Sequence, residues 1–205
     1  MYVDRTYEQP VQEIIRYVPI EQAPVSRPDA PTVSGPETGS FLQQGDAVFK
    51  QGRYDEARRL YTRALLADES DPAARLSYAY AHFALGRCTI AAMALRRALA
   101  GDPGLMDTPP DPRMAYGVGG EFEKHLAALR EHVVLAPEDT EAILLLVYVA
   151  HAIGQTELAL GQLDRVLAAD DADTLAYVLR DAILHSRTAP ERQPAPPTEG
   201  ITPPA

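Results

Sequence analysis

The sequence predicts an all-α fold: an array of helix-turn-helix units between two proline-bearing tails. Three observations predict it. Gly52, Gly86, Gly120 and Gly154 stand 34 residues apart. Between them the apolar residues recur at i, i+3, i+4 and i+7, which places them on one face of a helix. Twelve of the 18 prolines fall in residues 1–37 and 187–205, where they work against helix, and the longer middle holds the other six. A chain of 205 residues that is 46% hydrophobic can fill a core, so it is not disordered throughout.

Residues 1–37 are expected to form a tail with one exception. Val11, Ile14, Ile15, Tyr17, Val18 and Ile20 make a β-prone apolar patch between Pro10 and Pro24, of a kind that needs a cover. Four units follow, at 38–71, 72–105, 106–139 and 140–172. Their columns keep one register. Five residues after each glycine come Ala57, Ala91, His125 and Ala159, and nine after it Tyr61, Leu95, Leu129 and Leu163. Within a unit, Ala57, Leu60, Tyr61, Ala64 and Leu65 share a face, and Asp55, Glu56, Arg58, Arg59 and Arg63 fall on the other. Each glycine permits the positive φ that ends one helix before the next begins. Unit three departs from the others. Pro109, Pro110 and Pro112 and the run Gly117-Val118-Gly119-Gly120 oppose a full first helix, so a loop is expected with at most a short helix near Pro112 to Tyr116. His125 and His132 also replace small residues, and the unit reads as a relaxed spacer or a bend. Residues 173–186 carry Leu175, Val178, Leu179, Ala182 and Ile183 as a capping helix, and 187–205 read as an extended, disordered tail.

These motifs resemble the tetratricopeptide repeat family. Unit one reads Phe41, Gly45, Gly52-Arg53-Tyr54, Ala57, Tyr61 and Ala64-Leu65; unit two reads Tyr78-Ala79, Gly86, Ala91, Leu95, Ala98-Leu99 and Asp102-Pro103. The resemblance implies a right-handed α-solenoid in which the first helix of each unit lines a concave groove that holds a peptide or partner helix. By column that groove shows Leu42, Gln43, Asp46, Phe49 and Lys50, then Leu76, Ser77, Tyr80 and Phe83, then Glu141, Leu144, Leu145, Tyr148 and His151. The partner-binding residues expected among them are Phe49, Leu76, Tyr80, Phe83, Leu144, Leu145, Tyr148 and His151. Leu76, Leu144 and Leu145 equally suit packing between helices. Lys50 is the only basic residue of the set, so the carboxylate clamp of the chaperone-tail-binding members is missing and an apolar ligand is implied.

The remaining residues exclude more than they assign. A net charge of −10 argues against a nucleic-acid phosphate binder. A single cysteine, Cys88, leaves no disulfide framework and no cysteine zinc site, and reads as a buried thiol. His125 and His132 are seven apart, not four, so no metal is expected, and no cofactor. No Gly-x-Ser-x-Gly elbow, phosphate loop or dinucleotide fingerprint occurs, so no enzyme is expected. The longest apolar stretch, Ala142 to Ile153, is too short to span a bilayer, and no signal follows Met1, which reads as a cytoplasmic protein, or as an exported or envelope one if the chain has a segment upstream of Met1. The functional expectation is a non-enzymatic scaffold that binds a protein or peptide through an apolar segment. The alternative is a self-associating spacer whose N-terminal segment docks on its own groove or on a second copy.

Overall fold

The computed structural model describes residues 36–188. The apolar patch at 11–20 and the tail at 189–205 lie outside the described residues. Helices follow in the order α1 (Pro36–Lys50), α2 (Tyr54–Ala67), α3 (Pro72–Ala84), α4 (Cys88–Gly101), α5 (Gly104–Asp107), a 3-10 turn (Pro112–Ala115), α6 (Glu121–Leu135), α7 (Thr140–Ala152), α8 (Thr156–Ala169) and α9 (Thr174–Thr188). No strand occurs among the described residues. The chain is an all-α repeat solenoid.

Three units form antiparallel hairpins, α1 with α2, α3 with α4, and α7 with α8. Their turns are built alike. Gly52, Gly86 and Gly154 have φ of 77°, 69° and 78°. In each turn the residue after the glycine donates its N–H back to the helix: Arg53 to the carbonyl of Val48, Arg87 to His82, and Gln155 to Ala150, at 2.8–3.1 Å. This closes the orphan carbonyls of the first helix and fixes the angle at which the second leaves. The small columns then let helices meet. Ala57, Ala91 and Ala159 are fully buried.

Unit three does none of this. Gly120 has a positive φ too, 81°, but no helix precedes it, and it only opens α6. The reason extends beyond the prolines. Asp71, Asp139 and Asp173 each accept a backbone N–H at the start of α3, α7 and α9. They lie on a 34-residue grid whose missing point is Leu105, so the first helix of unit three has no N-cap as well as three prolines. The expected loop with a short turn is present as α5 and the 3-10 turn.

The consequence is a change in stacking. α2 packs on α3, and α8 on α9, as consecutive units should. α4, however, packs directly on α7, skipping unit three. Arg96 of α4 holds the joint. Its Nε donates to both oxygens of Glu141 at 3.0 Å, and its two terminal nitrogens donate to Asp173 at 3.2 and 2.7 Å. Burial alone would raise the Asp173 carboxyl; Arg96 and the amide of Ala176 outweigh it and hold it below the usual range. Ten consecutive residues of α7, Ala142 to His151, are buried. A helix apolar on all sides must be covered on all sides. α4 and α8 cover two faces of α7, and unit three supplies contacts on the rest.

Candidate functional site

After α4 the chain leaves the array at Asp102, crosses the first helices of the other units as far as α1, and returns along the hairpin turns as α6. Its outward leg is held by three groups of the inner face. Tyr148 donates its hydroxyl to the carbonyl of Leu105 at 3.3 Å, and Tyr80 donates to the carbonyl of Pro110 at 3.2 Å. His151 Nε2 is 2.9 Å from the carbonyl of Met106, which makes Nε2 the protonated nitrogen. Burial, with the neighbouring Tyr148, pushes the Tyr80 phenol well above its usual range, so it is a neutral donor at any physiological pH.

The return leg packs on rings. Tyr116 lies edge-on to Phe49 at 5.0 Å and to Phe122 at 5.5 Å between ring centres. His125 meets Tyr54 at 5.1 Å and Phe83 at 6.2 Å, and its Nδ1 is 3.1 Å from the Tyr116 hydroxyl. Burial pulls the His125 pKa down, with Glu121 opposing, so the ring is neutral near pH 7. Further along α6, Arg130 donates to Gln155 in the α7–α8 turn at 2.6 Å. α6 is thus a strap that touches all three hairpin turns in succession. Gly117 pins its start: a Cβ there would lie 2.4 Å from the carbonyl oxygen of Lys50. Backbone cannot step aside as a side chain can, so Gly117→Ala is expected to cost about 1–3 kcal/mol. Urea denaturation would show that loss, and hydrogen exchange should place it at 116–122 rather than in α3 or α4.

The eight residues expected to bind a partner are all here. Phe49, Leu76, Tyr80, Phe83, Leu144, Leu145, Tyr148 and His151 are buried, none more than 8% exposed. Tyr80, Tyr148 and His151 lie under the outward leg. Phe49 and Phe83 lie under Tyr116, Phe122 and His125. Leu144 and Leu145 are enclosed in α7. The open, oily trough expected from the sequence is therefore closed, because the segment that fails to make a helix lies in it. Glu141, placed in the groove by column, instead faces Arg96.

One hollow remains. It has a volume of about 400 Å³ and lies between α1, α3 and the outward leg. Leu76, Ser77, Tyr80, Leu105 and Met114 give it apolar walls, and Met114 is 77% exposed. Asp46, Asp102 and Asp111 stand around it against the single amine of Lys50. Asp46 accepts from the Tyr61 hydroxyl at 2.8 Å, and Asp111 is held low in pKa by its bond to Arg113. Asp46 lies in the groove by column, but Met114, Asp102 and Asp111 are not legible as its neighbours from the sequence, because only a fold that sends unit three back to α1 brings them together. Among the described residues no group of three or more His, Cys, Asp or Glu is placed to hold a metal ion, and no helix is long and apolar enough to cross a membrane. Cys88 is a free, buried thiol whose pKa burial raises.

Residues 42–105 match the family model for the tetratricopeptide repeat. No curated protein matches the chain. Solved structures resemble it loosely. The first tetratricopeptide domain of Spaghetti (RPAP3), bound to the HSP90 peptide SRMEEVD, is 20% identical, with 74% of this chain and 93% of that one covered at a TM-score of 0.36. The first such domain of human RPAP3 gives 20%, 74%, 92% and 0.36 for the same measures. A thermophilic tetratricopeptide protein of Thermus thermophilus is 22% identical, covering 72% of this chain and 82% of that one at 0.31. Likenesses this loose carry no argument about function. The tetratricopeptide repeat match thus spans the two helical hairpins α1–α2 and α3–α4 of units one and two.

Proposed function

We propose that the chain is a non-enzymatic protein-interaction scaffold, and that its ligand is an apolar peptide seated in the hollow between α1, α3 and residues 105–115. The observation that carries this reading is the hollow itself. It opens on the face where this family's resemblance places a ligand, and its volume of about 400 Å³ suits a few side chains. Its walls are apolar, and three carboxylates against one amine disfavour an acidic peptide. A short apolar stretch with neutral or basic flanks fits best.

Ser77 provides the test. It is half-buried, lines the hollow and lies outside the core, on a helix that accepts arginine well. Ser77→Arg fills the hollow without opening the array. Affinity capture is expected to lose the partner by at least about tenfold with the helical circular dichroism unchanged. Equal capture by both proteins would refute the hollow as the site.

A further inference from the structure

Resting on the reading of this inner face as a peptide site, we propose that Leu105–Pro110 is the site's resident occupant, and that a proline-bearing peptide of another protein, folded as one helical turn followed by an extended Pro-Pro stretch, binds by displacing it. Tyr80, Tyr148 and His151 are each more than nine-tenths buried, and each has a polar contact with a backbone carbonyl, of Pro110, Leu105 and Met106 respectively. Any peptide has such carbonyls, so this row of donors accepts any chain that lies along it. Side-chain selection is left to two places. Met106 is buried, and Leu105 is half-buried against the core. Asp107, Thr108 and Pro110 point outward, so the segment lies on the face as a ligand would rather than inside the protein.

The segment has little regular structure for its position. Leu105–Asp107 belong to the single turn of α5, and Thr108, Pro109 and Pro110 lie in no helix. Such a stretch opens at a lower free energy than the helices beneath it. Pro109 and Pro110 restrict the stretch that follows α5, which reduces the entropy lost on docking. An incoming peptide needs the same properties: one or two aliphatic or methionine side chains, then prolines a few residues on. The ring of Asp46, Asp102 and Asp111 calls for neutral or basic flanks. The hollow next to Leu105 and Pro110 gives such a peptide a place to begin. Its apparent affinity is then reduced by the fraction of molecules in which the resident segment is seated.

The test uses the full chain and a fluorescein-labelled synthetic peptide with the sequence of residues 104–113. Pro109→Gly combined with Pro110→Gly loosens the resident segment and leaves Tyr80, Tyr148 and His151 in place. By fluorescence anisotropy the doubly substituted chain should bind the probe at least about fivefold tighter than wild type. In wild type, saturating probe should speed hydrogen exchange at the amides of 105–108 and leave α3 and α7 protected; if the substituted chain loses helicity, this measurement decides alone. Equal affinities with unchanged exchange would overturn the displacement and leave the peptide site standing. Binding by neither protein would remove the peptide site itself. The chain carries a second Thr-Pro-Pro, at Thr202-Pro203-Pro204. If Pro203→Gly with Pro204→Gly tightens binding instead, the competitor is that tail and the assignment of Leu105–Pro110 fails.

Discussion

Truncating Tyr148 to alanine is expected to lower stability by about 3–5 kcal/mol. The ring is fully buried in the middle of α7, which is itself buried on every side. Removing a large buried ring loses its transfer free energy and leaves a cavity whose walls are helices, which cannot collapse to fill it. The loss also reaches beyond α7. The hydroxyl holds Leu105, so the outward leg of unit three loosens with the core. Tyr148→Phe separates the two effects, because it keeps the ring and removes only the bond to Leu105, at about 1 kcal/mol. Urea unfolding of both variants would measure the difference, provided the slope m stays constant. A loss below about 1 kcal/mol for Tyr148→Ala would mean that the ring is not enclosed.

Acid should destabilise the chain through His82. The ring is 2% exposed, and neither nitrogen has a hydrogen-bond partner among the described residues. Burial, reinforced by the charges of Arg87 and Arg58 and opposed by Asp55, pulls its pKa down to about 4. The unfolded chain therefore takes up a proton near pH 6.5, and the folded one does so only near pH 4. Between those values the unfolded state binds more protons, so stability falls as pH falls. The loss begins below about pH 6.5, reaches about 2 kcal/mol by pH 5 and about 3 kcal/mol by pH 4. His125, also pulled down by burial, adds in the same direction. His82→Leu removes the larger part. The difference in unfolding free energy between pH 7 and about pH 4.5 should shrink by roughly 2 kcal/mol in that variant. An unchanged difference would show that His82 is not the source.

Much of the fold was legible because the signals are local. A glycine at positive φ and alanines at helical spacing dictate a hairpin from a few residues, and units one, two and four follow them. What the sequence concealed is which hairpin stacks on which. The 34-residue glycine grid runs unbroken through Gly120, yet the left-handed φ there serves only to start α6. A backbone dihedral does not report its tertiary neighbours. Two residues did carry the missing information. Leu105 stands where Asp71, Asp139 and Asp173 cap the other helices, so no side chain caps a full-length helix there and only the single turn of α5 forms. His125 stands where Ala57, Ala91 and Ala159 let helices touch, so α6 cannot approach a partner as α2, α4 and α8 do. The columns pointed to inner-face positions for the expected site residues. Their exposure was not legible, since it depends on where residues 102–120 travel.

The central claim is that α7 stacks directly on α4 and that unit three leaves the array. A double-mutant cycle between Arg96 and Glu141 measures it, with Arg96→Met and Glu141→Gln made singly and together. Arg96 Nε shares its N–H between both Glu141 oxygens at 3.0 Å, with the two side chains 27% and 29% exposed. A coupling energy of about 1 kcal/mol is expected. In an array where four hairpins follow one another, a whole unit would separate these side chains, and a coupling of zero would contradict the structure described above.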